Sequence, residues 1–234
     1  MNLHAERPVL AVTGLAWEAR IAAGAGVRTL SGGGNARALA ARLERDAAHA
    51  CAIVSFGVAG GLAAGLAPGT CVLARAVATR DTRWVCDEAW TRAMCERLPG
   101  ATLGDIAGSD DMLAAATGKR ALHAATHALA IDTESHIAAA IAAAHRLPFA
   151  ALRVVVDPAG RGLPPAALVA LRPGGAVDHA GVLRSLARRP SQLPLLMRTA
   201  LDARTAQRAL RRAHSRLGAR FAFAALGDFS LDVA

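Results

Sequence analysis

Short apolar runs alternate with amphipathic stretches along the chain. "PVLAVTG" (8–14) reads as a first strand, and "AWEARIAAG" (16–24) after it reads as a helix. A glycine-rich turn in "SGGGNARALAARLERDA" (31–47) leads into a second helix. From Ala50 to Ala74 there is no charged residue, a length that matches a bilayer span. Gly57, Gly60, Gly61, Gly65, Pro68 and Gly69 cut that run, however, into two β-rich pieces, "CAIVSF" and "TCVLA", with a glycine loop between them. Further on, "HALAIDT" (127–133) reads as a strand, "ESHIAAAIAAAHRL" (134–147) as a helix, and "FAALRVVVD" (149–157) as a strand ending in a carboxylate. Beyond about 164 helical periodicity takes over, with "HAGVLRSLARR" and "PLLMRTALDARTAQRALRRAHSRL" both amphipathic and rich in arginine. Strands apolar on both faces and joined by helices predict an α/β fold with a mostly parallel sheet covered on both sides. The 234 residues suit one domain, with a helical C-terminal extension from about 176.

Composition changes this picture little. A net charge of +9 and a pI near 11.1 would ordinarily raise nucleic acid or an anionic membrane as partners. Lys119 is the only lysine and tyrosine is absent, while alanine, arginine and glycine abound, a bias that a GC-rich coding sequence produces by itself. No basic stripe interleaved with aromatics accompanies the charge, so a nucleic acid partner is not expected. Cys51, Cys71, Cys86 and Cys95 form no CxxC pair and read as free, buried thiols of a reducing compartment. "MNLHAERPVLAVTG" carries acid and proline where a signal peptide needs an unbroken apolar region, which predicts a cytoplasmic protein.

In sheets of this kind ligands sit beyond the carboxyl ends of the strands. Four places qualify: Gly14 to Glu18, Gly57 to Gly61, Asp132 to His136, and Asp157. Each has a plain alternative. Gly32, Gly33 and Gly34 make an ordinary turn, and "GVAGG" lacks the lysine and hydroxyl of a Walker loop. Asp132 and Glu134 suit a helix N-terminus as acids favoured by the dipole, and Asp157 before Pro158 suits a turn. Their joint occurrence at strand ends points to one ligand site.

"VSFGVAGGLAAGLAPGTCVLA" and "AIDTESHIAAAIAAAHRLPFAALRVVVDPAGRGLPPAAL" resemble the purine nucleoside phosphorylase and methylthioadenosine/adenosylhomocysteine nucleosidase superfamily. Within it the likeness is closest to the hopanoid-associated phosphorylase branch, which processes adenosylhopane. It runs from about 8 to about 170, and the tail "RRPSQLPLLMRTALDARTAQRAL" resembles that branch alone. The resemblance implies the three-layer nucleoside phosphorylase fold with a mixed, mostly parallel central sheet. It implies cleavage of the N-glycosidic bond of an adenosyl compound, adenosylhopane, releasing adenine by phosphorolysis or hydrolysis. A methylthioadenosine or adenosylhomocysteine nucleosidase, and an inactive purine-nucleoside-binding protein, are the alternatives.

That reaction passes through a sugar cation, so the departing base needs a proton and the ribose a stabilising charge. By resemblance Asp157 is the general acid to purine N7, and Glu134 accepts from the ribose hydroxyls. Glu18 either activates water or, followed by Arg20, stands beside a phosphate site that Arg80 and Arg83 of "ATRDTRW" complete with amides of Gly57 to Gly61. Gly14, Trp17, Gly57, Val58, Ala59, Gly60 and Thr133 are the further residues expected against the substrate, and His136 is expected to be structural. Thr133 replaces a methionine of the family, and Val58 and Val156 each replace a serine. No metal or organic cofactor is implied, only phosphate as a possible co-substrate. A homodimer is expected, as is an apolar channel for a lipid walled by Trp17, Phe56 and Trp84. The basic helices near 180 to 216 either rest on an anionic inner membrane or pack on the sheet or a dimer interface.

Overall fold

A computed structural model of the chain describes residues 7–168 and 178–223. Its strands follow the apolar runs. β1 (Val9–Thr13) is buried throughout and alternates, Leu10 and Val12 facing one core and Val9 and Ala11 the other. α1 (Ala16–Ala22), β2 (Val27–Ser31) and α2 (Ala36–Ala47) follow. β2 is a half-buried edge strand paired only with β1, which is why the apolar pattern does not reveal it. The triple glycine makes the expected turn. Gly33 and Gly34 adopt φ of 58° and 75°, a left-handed geometry open to glycine, and Asn35 then caps α2 by accepting from the Ala38 N–H at 2.9 Å.

The glycine loop expected after "CAIVSF" does not exist. β3 (Ala52–Gly61) continues straight through Gly57, Gly60 and Gly61, because β8 (Phe149–Asp157) pairs with it from Ile53 opposite Phe149 to Gly60 opposite Asp157, with a bulge between Ala59 and Gly60. Ladder pairing with β8 as far as Gly60 and with β7 at Gly60 and Gly61 outweighs the weak strand preference of glycine. Between them lie β4 (Cys71–Ala78), β5 (Arg83–Val85), α3 (Glu88–Arg97), β6 (Thr102–Gly108), α4 (Ala116–Thr126), β7 (Ala130–Asp132) and α5 (Ser135–Ala144). The strand read over 127–133 is shorter than expected, because His127 ends α4 with φ 56°. The uncharged run from 50 to 74 is thus β3 and the start of β4, and among the described residues no helix is long and apolar enough to cross a membrane.

α6 (Pro165–Leu168), α7 (His179–Arg188), a 3-10 turn (Pro190–Gln192) and α8 (Leu193–Leu217) complete the chain; the expected start of the extension near 176 lies outside the described residues. α8 buries Ala206, Ala209, Leu210, Ala213 and Leu217 against the sheet, while Leu193, Met197 and Leu201 of its first half are exposed.

The sheet is mixed and mostly parallel. β2, β1, β3 and β8 run parallel in that order, and β4–β6 and β6–β7 are parallel too. β3–β7, β4–β5 and β4–β8 are antiparallel. The pairings β3–β8–β4–β6–β7–β3 close on themselves, so part of the sheet forms a distorted barrel. α2 and α5 cover one face, and α1, α3 and α8 the other, giving the three-layer α/β architecture.

Candidate active site

Glu18 closes the start of α1. One carboxylate oxygen accepts from the N–H groups of Gly14 and Leu15, each at 2.8 Å, and the other accepts from the Val58 N–H at 2.7 Å. The side chain therefore ties the β1–α1 turn to β3, and its residue is only 1% exposed. Burial pushes its pKa up to about 7 from 4.5; the Glu134 charge adds to the rise, while Arg153 and the backbone amides oppose it.

Arg153 is the residue that sequence reasoning missed. It is fully buried, and on β8 it shares the α5-facing side with Ala151 and Val155. Its Nε lies 2.9 Å from Asp132 Oδ2, and its Nη2 lies 3.5 Å from Glu134 Oε2 and donates to Ser55 Oγ at 2.6 Å. The signal was present: Arg153 is the one cation in "FAALRVVVD", and a charge inside a buried strand needs a partner. Asp132 supplies it, and Asp132 Oδ1 also accepts from the N–H groups of Glu134 and Ser135 at 2.8 and 2.7 Å. The helix-end reading of Asp132 therefore holds alongside its role as counterion.

Glu134 takes a 2.5 Å hydrogen bond from the Thr133 hydroxyl, so the threonine at this departure from the family pattern orients the carboxylate. Burial raises the Glu134 pKa and Arg153 opposes the rise. Asp157, at the end of β8, is raised by burial as well, and Lys119 of α4 opposes that rise through an ion pair with Asp157 Oδ2. Lys119, fully buried, was also missed.

Strand pairing sets the distance between these groups. Val12 lies opposite Ser55, so the chain leaving β1 reaches the level of Gly57 at Gly14. β7 is antiparallel to β3 with Ile131 opposite Gly60, so the chain leaving it runs back toward Gly57 and carries Glu134 there. A Cβ added at Gly14 would stand 3.0 Å from Glu134 Oε1, and one added at Gly57 would stand 2.6 Å from Arg153 Nη1 and 2.7 Å from Glu18 Oε1. At the other end, a Cβ on Gly60 would lie 3.5 Å from both Asp157 oxygens. Glu18, Glu134 and Arg153 thus gather at the Gly57 level and Asp157 at the Gly60 level, about 10 Å away along a strand. Glycine at 57 is required by the close approach of these side chains. Gly57→Ala is expected to cost about 1–3 kcal/mol and to slow any reaction at the site at least about tenfold by displacing Glu18 and Arg153. Thermal melting and kcat measure both; wild-type values would show that the side chains yield freely.

Other expected residues fall elsewhere. Val58 contributes its N–H, and Ala59 is buried in the core beneath α5. Trp17 and Arg20 face α8, where with Ile21, Gln207, Arg211 and His214 they line a cavity of about 400 Å³ on the other side of α1 from the Glu18 carboxylate. Arg83 on β5 forks onto Asp105 at 2.8 and 3.1 Å, and Arg80 is exposed in the β4–β5 turn. Trp17, Phe56 and Trp84 do not make one wall. Phe56 is fully buried with its ring 5.0 Å from that of Phe221, and Trp84 packs on the opposite core. His136 Nε2 lies 3.1 Å from Asp110 Oδ1. The four cysteines are free; only Cys86 is buried, and burial pushes its thiol up to about 12, whereas the other three are half-buried.

The phosphorylase superfamily model matches residues 2–171. A search of curated proteins finds no match. Among solved structures, the Streptococcus pneumoniae 5′-methylthioadenosine/S-adenosylhomocysteine nucleosidase with a transition-state inhibitor is 19% identical, with TM-score 0.57 over 65% of this chain and 86% of that one. The Neisseria meningitidis enzyme of the same name, in complex with methylthio-immucillin-A, is 16% identical, with TM-score 0.59 over 89% of this chain and 99% of that one. Native futalosine hydrolase of Helicobacter pylori is 16% identical, with TM-score 0.59 over 79% and 99%.

Proposed function

The chain belongs to the phosphorylase superfamily, and from that premise we propose that this enzyme, of nucleoside phosphorylase or nucleosidase type, hydrolyses the N-glycosidic bond of an adenosyl compound. The observation that carries the choice of water over phosphate is the charge at the Gly57 level. Glu18, Asp132 and Glu134 gather there around one guanidinium, Arg153, which Asp132 and Glu134 already engage. Three carboxylates to one cation disfavour a phosphate dianion and favour a sugar cation.

The nucleoside lies along β3 with its ribose at Gly57 and its purine at Gly60. Asp157 gives a proton to N7 as the C1′–N9 electron pair passes to the base, and Glu134, steered by Thr133 and Arg153, accepts from the ribose hydroxyls. Water attacks C1′ and its proton passes to Glu18, whose pKa near 7 suits a base at neutral pH. Proton loss at Asp157 and gain at Glu18 balance within each turnover through solvent.

For the 5′ substituent we propose the hopane of adenosylhopane. The likeness of the tail supports it. So do the exposed Leu193, Met197 and Leu201, spaced four apart on α8 in an arginine-rich helix, which suit an anionic membrane surface where such a lipid resides. Adenine release from adenosylhopane and from methylthioadenosine, each with and without phosphate, tests the proposal. The expected result is phosphate-independent release from adenosylhopane with free sugar as product. A sugar 1-phosphate formed only with phosphate would establish phosphorolysis, and release from methylthioadenosine alone a small-substrate nucleosidase. Tight binding without release would leave a purine-binding protein.

A further inference from the structure

Asp157 faces a difficulty as an acid: it is paired with an ammonium. The sole lysine of the chain, Lys119, is 0% exposed and donates to Asp157 Oδ2. The ammonium favours the ionised carboxylate, without the proton that the departing purine needs, and so works against the rise that burial gives Asp157; a fully buried lysine is also costly unless its charge has a use.

Three carbonyls fix the ammonium from one side. Arg161 O, Pro158 O and Asp157 O lie 3.2, 3.4 and 3.5 Å from Nζ, the last at the end of β8 and the other two in the turn after it. That turn is held against the start of α4 by the Leu163 N–H, which donates to Ala114 O at 3.0 Å. The carboxylate of Asp157 is the single charged group that Lys119 meets among the described residues. Asp157 in turn senses Lys119 from α4 and Arg161 from its own turn, and Arg161 is paired at 2.6 Å with Asp202 of α8.

Resting on the reading of Asp157 as the leaving-group acid, we propose that Lys119 is a positioning residue that orients this carboxylate in the empty site and provides the proton that the purine takes through it. One proton moves from Nζ to the Asp157 carboxylate and one from that carboxyl to N7, as the C1′–N9 bond breaks and its electron pair enters the ring. The products are neutral adenine, a carboxylate and a neutral amine. Water reaching the site as products leave returns a proton to Nζ. The pair, not the carboxyl alone, then sets the upper pH limit of the acid.

Lys119→Met separates this from a packing role. The variant is expected to lose about 100-fold in kcat on the adenosyl substrate with KM little changed, and to regain much of that loss at low pH. Its alkaline limb falls because Asp157 alone keeps a proton only up to its own pKa. A riboside with a nitrophenolate leaving group, which departs without a proton, should be cleaved by the variant at nearly the wild-type rate, and Lys119→Arg, whose guanidinium holds its proton, should leave the alkaline limb lowered. An unmoved limb, or equal loss on both substrates, overturns the proposal. Should Lys119→Met fail to fold, labelling with ¹⁵N-lysine still decides, because Lys119 gives the one Nζ signal of this chain. Asp157→Asn should lower the pH at which that signal titrates, and an unchanged titration overturns the proposal. Full activity in Asp157→Asn would instead sink the reading of Asp157 itself.

Discussion

Asp157→Asn is expected to lower kcat for adenine release by about 10²–10⁴-fold, the range that general acid catalysis supplies. Asparagine keeps the shape of the side chain, and its carbonyl oxygen can still accept from Lys119, so the hydrogen bond beside the turn after β8 remains even though the ammonium loses its counterion. What it lacks is a proton to give. Affinity for a stable adenosyl analogue should therefore stay within about tenfold of wild type while turnover collapses, the pattern of an interaction made only in the transition state. The nitrophenolate riboside should remain a substrate for this variant too, since its leaving group needs no proton. Single-turnover rates with both substrates make the comparison. A variant that releases adenine within about threefold of wild type would remove Asp157 from the role of acid and direct attention to a proton donor at the Gly57 level.

Where strand pattern and chemistry coincide, the sequence was legible. "FAALRVVVD" became β8 without a change of boundary, and the carboxylates at the ends of β7 and β8 were found because an acid closing an apolar run is conspicuous. Arg153 was hidden by the same run, since an eye set for apolar pattern passes over the one residue that interrupts it. Lys119 was noticed only as a compositional oddity, and its partner lies 38 positions away. The glycines of β3 were misread because glycine usually marks a loop, whereas here its missing side chain leaves space for Glu18 and Arg153.

Pairing direction was beyond the sequence. Whether β7 runs with β3 or against it decides whether Glu134 lies beside Asp157 or at the far end of the glycine run, and three residues, "AID", carry no mark of direction. The antiparallel choice separates the sugar end of the site from the base end. In the same way, Trp17 and Glu18 are neighbours in sequence yet belong to different faces of α1, so proximity along the chain wrongly joined Trp17 and Arg20 to the site.

Glu18→Gln is expected to lower kcat by about 10²–10⁴-fold as well, through loss of the base that takes the proton of water. The wild-type profile gives it a sign. The base must be ionised to act, so kcat/KM should rise with pH through about 7, the pKa that burial imposes on Glu18 against the opposing pull of Arg153 and of the Val58 and Leu15 amides. In the variant that rising limb should vanish, leaving a low, flat rate below the alkaline limb set by Asp157 and Lys119. Structure adds a second consequence. Both Glu18 oxygens accept from backbone N–H groups, and the amide nitrogen of glutamine cannot. Either the Gly14 and Leu15 amides or the Val58 amide must lose its acceptor, at a cost of about 1–3 kcal/mol. Melting curves therefore accompany the kinetics, and Glu18→Asp, which restores charge on a shorter arm, should recover the rising limb at reduced kcat. If Glu18→Gln melts as wild type does and keeps the rising limb, another group activates the water. Added phosphate then decides whether water is the nucleophile at all, because Glu18 is the carboxylate that a bound phosphate would have to displace or protonate.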